Sequence, residues 1–398
     1  MGIITTPTWS GARTGLLTSL PLAGATGACA LLLAACGGGD APAAAAPPAI
    51  LTSASVVSVA ERPVMVLALP EVRSTPLSLA AGAQARSADA AAPLLTDALF
   101  APTSFWYAAL PADAPLHANS ANFVAEFLRQ KKAYYGTVNL NTSSFASPVF
   151  IAKADTPTTT VTYSNCQKKS YGEPALQAQF ANVPIPEAAV PADGSDSEMT
   201  VYQPSTNTLW EFWVAHKTNG AWQACWGGRM NNVSNNDGTW PLPYGTTATG
   251  LPFVGGQITA EELQRGEIRH AIGISLVDVE AATTVSWPAK RSDGYNPLKA
   301  ANRIPEGLRL RLDPALALDT LKLTPVGKII AKAAQKYGFV VWDKAGAISL
   351  RLQNSKSYTA LGQPDPYAAL FAGKPAYAQL DGFPWDRLQF LPVNYGKP

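Results

Sequence analysis

Short segments of alternating apolar and polar residues recur along the middle of the chain, and turn-forming residues separate them. Successive side chains of a strand point to opposite faces, so this period of two predicts half-buried β-strands. The segments are 137–140, 148–151, 159–163, 199–203, 209–215, 221–229 and 268–279. Short strands at regular spacing favour a mainly β fold, which we expect to be an antiparallel β-sandwich or jelly roll with a few peripheral helices.

Two stretches show the helical period instead. One begins near Asn119, a residue type that commonly caps helices, and the other begins at Thr324. Gly338 stands where a glycine often ends a helix, so the second helix is predicted to stop just before it. The apolar segments 339–342 and 347–352 that follow predict the two strands of a hairpin.

The N-terminus has the pattern of an export signal. The chain is uncharged and mostly apolar from Gly15 to Cys36, and a single cation, Arg13, precedes this stretch. A membrane-spanning helix is the alternative, but the unbroken apolar run 28–35 is far shorter than the ~20 residues that a span needs. Residues 1–35 are therefore predicted to be a signal peptide.

The end of this stretch, Leu33-Ala34-Ala35-Cys36, resembles the lipobox of bacterial lipoproteins. The resemblance implies that the chain is cut before Cys36 and that this cysteine is lipidated. Acyl chains contribute ~0.8 kcal/mol per buried CH₂, so two or three of them hold a protein on a membrane without a spanning helix. Gly37 at the next position implies the outer membrane of a Gram-negative cell envelope.

The remaining chain divides by composition. Residues 36–93 are rich in Ala, Pro, Ser and Gly, and such segments cannot bury enough apolar surface to fold, so they are predicted to be a largely disordered tether. Within it, only 56–69 is apolar enough to dock as a strand. Residues 94–398 are then predicted to be a single β-rich globular domain with an irregular C-terminal tail.

Charge and motif content exclude several classes of partner. The 30 Lys and Arg residues nearly balance the 28 Asp and Glu residues, so the chain lacks the basic field of nucleic-acid-binding proteins. Walker loops and dinucleotide-binding glycine motifs do not occur, and no nucleotide or other cofactor is predicted. The three histidines are widely spaced, so no metal site is predicted either.

The four cysteines divide between the predicted segments. Cys29 leaves with the signal peptide and Cys36 takes the lipid, so Cys166 and Cys225 remain in the exported domain. Two thiols in an oxidising compartment predict one disulfide. The alternative is two separate buried thiols.

The most informative segment is a predicted hairpin around the Asn-Gly turn at 219–220. With these residues at the centre of the turn, Trp213 pairs with Trp226, and Glu211 pairs with Gly228. Gly228 has no side chain, so the pattern predicts open space beside the carboxylate.

These four residues share one face, which we name the tryptophan face, and it resembles a sugar-binding platform. Indole rings pack against the C–H faces of pyranose rings, and a nearby carboxylate such as Glu211 binds hydroxyls or acts on the glycosidic bond. The alternative is a packed core in which the tryptophans are internal and an Arg or a backbone amide holds Glu211.

Three further residues are candidates. Arg229 pairs with Trp210 and either stacks on that ring or binds an acidic sugar. His270 lies among isoleucines and is either a core residue or a catalytic base. For an enzyme, the expected classes are a glycoside hydrolase that uses Glu211 and Asp237, or a polysaccharide lyase with His270 as base and Arg229 as charge neutraliser.

A family resemblance supports the same context. The segments that carry it, between residues 105 and 352, are GGRMNN, NNDGTW, ATGLPFVGGQITAEELQRGEIRHAI, IPEGLRLRLDP and LTPVGKIIAKAAQKYGFVVWD. They resemble a group of secreted proteins from soil bacteria and fungi, some of which carry carbohydrate-binding modules. The resemblance implies an extracellular, polysaccharide-linked setting and no particular catalytic residues.

The sequence therefore favours an exported cell-envelope lipoprotein whose domain binds or processes a polysaccharide. The alternative is a structural or assembly lipoprotein without enzymatic activity that contacts envelope proteins. This alternative predicts that both tryptophans of the tryptophan face are buried, and that any large exposed apolar patch lies elsewhere.

Overall fold

The structure is a computed structural model, and it describes residues 98–398. The predicted signal peptide, the lipid site at Cys36 and the tether lie outside the described residues, so they remain predictions. Within the described part of the chain, no helix is both long and apolar enough to cross a membrane.

The helices are α1 (Ser120–Ala133), α2 (Pro174–Gln179), α3 (Phe253–Gly256), α4 (Ala260–Arg265), α5 (Pro325–Lys336), α6 (Lys356–Thr359) and α7 (Pro366–Leu370). The first strands are β1 (Asn139–Asn141), β2 (Val149–Ile151), β3 (Thr162–Tyr163), β4 (Met199–Gln203), β5 (Thr208–Trp213), β6 (His216–Thr218) and β7 (Ala221–Ala224). The later strands are β8 (Trp226–Asn231), β9 (Ile272–Leu276), β10 (Arg309–Leu312), β11 (Phe339–Lys344), β12 (Ser349–Arg351) and β13 (Leu388–Phe390).

The strands form three mixed sheets with orders β1-β12-β9-β11-β10-β13, β2-β4-β5-β8 and β3-β7-β6. Four pairs are parallel, namely β1 with β12, β9 with β11, β2 with β4, and β3 with β7. The fold is thus built mainly on sheets with few helices, as predicted, but an antiparallel sandwich or jelly roll is not confirmed.

Local signals located several elements correctly. β4 has the predicted bounds, and the hydroxyl of Thr324 accepts a hydrogen bond of 2.8 Å from the N–H of Gly327, which caps α5. After α5 the chain reverses through Gly338 at a φ of +75°, a conformation that favours glycine. The predicted hairpin of β11 and β12 is wrong, because β9 lies between these two strands.

Cys166 and Cys225 form the predicted disulfide. Cys225 separates β7 from β8, so the bond ties the segment before α2 to the point where the chain passes from the three-stranded to the four-stranded sheet. Constraining the unfolded chain in this way typically contributes 2–4 kcal/mol to stability.

A close contact between β9 and a buried indole fixes the middle of the six-stranded sheet. A Cβ atom added to Gly273 would lie 2.3 Å from the ring of Trp342, which is fully buried. We expect Gly273→Ala to lower the free energy of unfolding by about 2–3 kcal/mol, because a packed interior does not accommodate the extra atom without strain. Urea unfolding measures this loss.

The matched control is Gly346→Ala, because nothing lies within 4 Å of the added Cβ there. This variant is expected to lose no stability. Equal unfolding free energies for the two variants would show that the β9 backbone and Trp342 are not packed as described.

Candidate functional site

The hairpin register is as predicted. Trp213 pairs with Trp226, Glu211 pairs with Gly228, and the turn has Asn219 at φ +51° and Gly220 at φ +81°. The backbone pairing of the hairpin is interrupted between β5 and β6 and between β7 and β8. The half of the hairpin next to the turn, β6 and β7, therefore belongs to the three-stranded sheet. The four residues of the tryptophan face therefore share one face of the four-stranded sheet.

The expectation of open space beside Glu211 is wrong. Its side chain is fully buried, and the gap above Gly228 is filled by residues that follow β8. A Cβ atom at Gly228 would lie 3.1 Å from the Cβ of Tyr244 and 3.2 Å from the ring of Trp240. The absent side chain makes room for this packing and leaves no room for a ligand.

Glu211 is held by two hydrogen bonds. Its Oε2 accepts from the hydroxyl of Thr246 at 2.7 Å, and its Oε1 accepts from the backbone N–H of Val254 at 3.2 Å. Burial raises its pKa to about 7, and these donors oppose the rise. These surroundings match the packed-core alternative, in which a backbone amide holds the acid.

The rest of the tryptophan face is largely covered. Trp226 is 8% exposed, the ammonium group of Lys169 lies 3.9 Å from its ring centroid, and Tyr244 stacks at 6.3 Å. Trp213 is half-buried. A polysaccharide chain therefore does not reach this face as a flat platform.

The burial of Glu211 leads to a prediction about pH. Its folded pKa of about 7 exceeds the ordinary value of 4.5, so the folded protein binds a proton more tightly than the unfolded chain. The contribution of this residue is therefore most favourable below pH 4.5 and is lost as pH rises through 7. Gln cannot ionise, so Glu211→Gln is expected to reduce the stability difference between pH 5 and pH 8 by about 2–3 kcal/mol.

Urea unfolding of both proteins at the two pH values measures this difference. The control is Glu187→Gln, since Glu187 is exposed and is expected to leave the pH dependence of stability unchanged. If the stability difference between pH 5 and pH 8 is the same in Glu211→Gln as in the wild type, then Glu211 is solvated.

The other predicted site residues are not brought together. Asp237 is exposed, and its carboxylate accepts from the backbone N–H of Thr239 at 2.9 Å and from its hydroxyl at 2.7 Å. It therefore stabilises its own turn, as the residue type commonly does. Arg229 is half-buried, and within residues 98–398 it makes no cation–π contact with Trp210.

His270 has the surroundings of a core residue. It is fully buried, its Nδ1 lies 2.8 Å from the carbonyl oxygen of Ala271, and its Nε2 lies 3.1 Å from Oε1 of the buried Glu262. A base in this position has no access to a substrate.

A different group of ionisable residues forms the most unusual site in the described part of the chain. Three acids from separate segments, Glu198, Asp293 and Glu306, each interact electrostatically with Asp343, and we name the four residues the carboxylate cluster. Glu198 and Glu306 are fully buried, and one carboxylate oxygen of each has no hydrogen-bond partner among the described residues. Buried acceptors without partners are rare in proteins and call for an explanation.

A β-bulge places Asp343 in the cluster. Val341 pairs with Ile274 of β9, but the next residue of β9, Ser275, pairs with Asp343, so β11 contains one extra residue there. Strict alternation would put Asp343 on the same face as Val341. The bulge instead turns its carboxylate toward Arg351, and bulges commonly redirect side chains beside active sites.

Arg351 joins acids from two sheets. Its guanidinium donates to Oδ2 of Asp343 at 2.6 Å and lies 3.3 Å from Oε1 of Glu198, which immediately precedes β4. The same group lies 4.6 Å from the ring centroid of Phe253 and 5.7 Å from that of Trp342. Arg351 is only 4% exposed, so this network is shielded from water.

A second arginine holds the backbone beside Asp343. Arg291 donates to the carbonyl oxygens of Pro243 and Gly245 at 2.8 Å and of Thr247 at 2.9 Å. The N–H of Ala248, at the end of this loop, donates to Oδ1 of Asp343 at 3.2 Å. The loop therefore depends on Arg291 for its shape and contributes a donor to the cluster.

Glu306 and Asp293 form the other side of the cluster. The backbone N–H of Asp293 donates to Oε2 of Glu306 at 3.2 Å. Burial raises the pKa of Glu306 well above its ordinary range, and the negative charges of Asp293 and Asp343 raise it further. Glu306 therefore tends to keep its proton near neutral pH.

Asp343 differs from Glu306 in its neighbours. Burial raises its pKa to about 6, but the charge of Arg351 opposes this rise. Its side chain is 13% exposed and Asp293 is exposed, so the cluster extends from the interior to the surface. Asp293 and Asp343 are therefore the members of the cluster nearest to solvent, whereas Glu198 and Glu306 lie fully in the interior.

Sequence reasoning missed this cluster. Asp343 follows the apolar run Phe339–Trp342 and Arg351 lies in a strand whose three residues are all buried, and a charge in such a segment is a signal for a buried polar site. This signal marks single residues and does not show that they meet. The residues of the cluster span positions 198 to 343, and only the folded chain brings them together.

No family model, curated protein or solved structure matches this chain. Among the described residues, no group of three or more His, Cys, Asp or Glu side chains is arranged to hold a metal ion.

Proposed function

We propose that the described domain is a glycoside hydrolase that acts on a polysaccharide at the carboxylate cluster. The observation that carries this proposal is the pair Glu306 and Asp343, two acids of one cluster: burial raises the pKa of both, but neighbouring negative charges raise that of Glu306 further whereas Arg351 opposes the rise at Asp343. Hydrolysis of a glycosidic bond requires such a pair, one acid to donate a proton and one carboxylate to act on the opposite side of the bond.

In this proposal Glu306 donates its proton to the oxygen of the leaving sugar as the bond between that oxygen and the anomeric carbon breaks. Asp343 accepts a proton from water as the water oxygen bonds to the anomeric carbon. The products are two shorter chains; Asp343 then releases to solvent the proton that it took from water, and Glu306 takes up a proton from solvent, which restores both groups. Arg351 keeps Asp343 anionic, so its role is to position and charge the base.

An exposed aromatic residue next to the cluster supports a sugar substrate. Tyr295 is 75% exposed and follows Asp293 by two residues. An aromatic ring with a free face packs against the C–H face of a sugar ring. This residue takes the role that the sequence pattern had assigned to the tryptophan face.

The cellular setting is part of the same proposal. Export and lipid attachment at Cys36 rest on the sequence pattern Leu33-Ala34-Ala35-Cys36 after an apolar stretch. An acyl anchor in the outer membrane would keep the domain beside polysaccharides of the cell envelope or the surroundings.

The test is a degradation panel with the lipidated full-length protein. Neutral, acidic and amino-sugar polysaccharides are incubated with the wild type, with Glu306→Gln and with Glu187→Gln, and new reducing ends and product lengths are measured. We expect cleavage of at least one polymer by the wild type and by Glu187→Gln, and cleavage about 10²- to 10⁴-fold slower by Glu306→Gln. Equal cleavage by all three proteins would show that Glu306 is not the catalytic acid.

The non-enzymatic alternative has one observation in its favour, the largely covered tryptophan face with Trp226 buried. It predicts no products from any polymer and no binding on a glycan array. That combined result would favour an assembly role through contacts with envelope proteins.

A further inference from the structure

Glu306 is a member of the carboxylate cluster that solvent does not reach, since its side chain is fully buried. In the proposed reaction it gives up one proton in every turnover and takes one up again. A proton does not cross a protein interior as an isolated charge, because an ion without partners is very unfavourable there. The proton therefore needs a group that connects Glu306 with water.

Asp293 has the position of such a group. It is exposed, and its backbone N–H donates to Oε2 of Glu306 at 3.2 Å. Glu198 is fully buried, and the side chain of Asp343 is 13% exposed and is paired with Arg351 at 2.6 Å. Of the four acids in the cluster, Asp293 is therefore the one that combines a contact to Glu306 with wide exposure to solvent.

The hydrogen bonds of Glu306 indicate which of its oxygens carries the proton. Oε2 accepts from the N–H of Asp293, so it is the carbonyl oxygen of the neutral acid. The hydroxyl is then at Oε1, which is buried and has no hydrogen-bond partner among the described residues. The proton that the reaction uses is therefore not held by another acceptor.

Asp293 and Glu306 also affect each other's ionisation. Burial raises the pKa of both acids. The negative charge of Asp293 raises the pKa of Glu306 further, whereas the side chain of Glu306 lowers the pKa of Asp293. Two acids in this relation do not ionise independently, and near neutral pH they tend to hold one proton between them.

The surrounding groups give the transfer a direction. The other charged or polar side chains that act on the pair are those of Arg291, Lys344, Asp343 and Ser292. The two cations lower the pKa of Asp293, and the charge of Asp343 raises that of Glu306, against a smaller opposing effect of the Ser292 hydroxyl. A proton that arrives on Asp293 is therefore passed inward to Glu306.

We propose that Asp293 relays protons between solvent and Glu306. This inference rests on the proposed function for its purpose, and it adds a residue that acts through Glu306 and not on the bond that is cleaved. After each cleavage Glu306 is an anion. Asp293 takes a proton from hydronium or from a buffer acid, transfers it to Oε1 of Glu306 and becomes an anion again, so one proton has passed inward and no other bond has changed.

The test is the rate at which the carboxyl proton of Glu306 exchanges with deuterium in the full-length protein. The infrared C=O band of a neutral carboxyl shifts on deuteration, and the band of Glu306 is the one that is missing in Glu306→Gln. The proteins are transferred into D₂O at pH 6, where Glu306 is protonated because burial raises its pKa to about 8. We expect exchange to be slower by about tenfold or more in Asp293→Asn, because openings of the structure are then the remaining route.

A purely structural role for Asp293 predicts the opposite result, because a loosened site exchanges faster. Asp155→Asn is the control, since Asp155 is an exposed acid between β2 and β3, and it should exchange at the wild-type rate. Exchange in Asp293→Asn that is as fast as in the wild type or faster would overturn the inference. So would the absence of a protonated Glu306 band at pH 6.

Cleavage assays give a second measurement. In Asp293→Asn we expect kcat to fall with KM unchanged, and to recover as the concentration of acetate buffer is raised at constant pH, because acetic acid then delivers the proton. An unchanged kcat, or a loss that the buffer does not restore, would overturn the inference. Failure of the proposed function has a different result, since the wild type then cleaves no polymer, whereas the exchange rates still show whether Asp293 carries the proton.

Discussion

Replacing Asp343 with asparagine is expected to lower kcat/KM for polysaccharide cleavage by about 10²- to 10⁴-fold, the usual contribution of a positioned acid or base. Asparagine has the same shape and still accepts from the N–H of Ala248, but it cannot take a proton from water. Initial rates of reducing-end release at several substrate concentrations give kcat and KM separately. We expect the loss in kcat, because the change removes chemistry and leaves sugar contacts in place.

Two other substitutions make this result specific. Asp381→Asn alters an exposed acid that is 58% accessible, and it is expected to leave kcat/KM unchanged. Glu211→Gln tests the acid that the sequence had favoured, and full activity is expected because no substrate reaches it. Loss of activity in Glu211→Gln together with full activity in Asp343→Asn would contradict the proposed site.

Replacing Arg351 with methionine is expected to lower the free energy of unfolding by about 3–5 kcal/mol at pH 8. Methionine fills similar volume, so the loss arises from leaving Asp343 and Glu198 buried as anions without their cation. Burial raises the pKa of Glu198 to about 7 and that of Asp343 to about 6, with Arg351 opposing both shifts. At pH 5 both acids are protonated when folded, so the expected loss is smaller there.

Urea unfolding of the wild type and Arg351→Met at pH 5 and pH 8 tests this prediction. The control is Arg269→Met, which removes an ion pair at the surface, where Arg269 is 53% exposed. That change is expected to lower the free energy of unfolding by less than about 1 kcal/mol at either pH. A loss for Arg351→Met that is equally small, or the same at both pH values, would show that the cluster is hydrated.

The features that the sequence predicts correctly depend on neighbouring residues. The register of β5 with β8 follows from the Asn-Gly turn at 219–220, because a two-residue turn fixes every pair of the ladder. The start of α5 follows from Thr324, and its end follows from Gly338. The disulfide follows from counting the cysteines that lie in the domain after the predicted signal and lipid site are set aside.

The features that it does not predict depend on contacts between distant segments. Nothing in 339–352 indicates that β9 inserts between the two strands of the expected hairpin. The burial of Glu211 is decided by Trp240 and Tyr244, which close over Gly228 from the following loop. A glycine opposite an acid is compatible with a ligand space or with a packed ring, and the pattern of one strand does not distinguish them.

The carboxylate cluster also depends on contacts between distant segments, so the sequence pattern does not predict it. Alternation along β11 would have placed Asp343 on the wrong face, because the bulge near Trp342 has no marker residue such as glycine. Glu306 precedes β10 and Glu198 precedes β4, so neither lies in a motif with Asp343. What the sequence offers is a set of charged residues inside apolar segments, and their convergence is a property of the sheets.

The most direct test of the central claim is the pH profile of kcat/KM for the polysaccharide that the wild type cleaves. A bell-shaped profile is expected, with activity rising as Asp343 ionises near pH 6 and falling on the alkaline side as Glu306 loses its proton. In Glu306→Gln the alkaline limb should disappear from the residual activity. A wild-type profile without an acid limb near pH 6, or an alkaline limb that Glu306→Gln retains, would contradict catalysis at the carboxylate cluster.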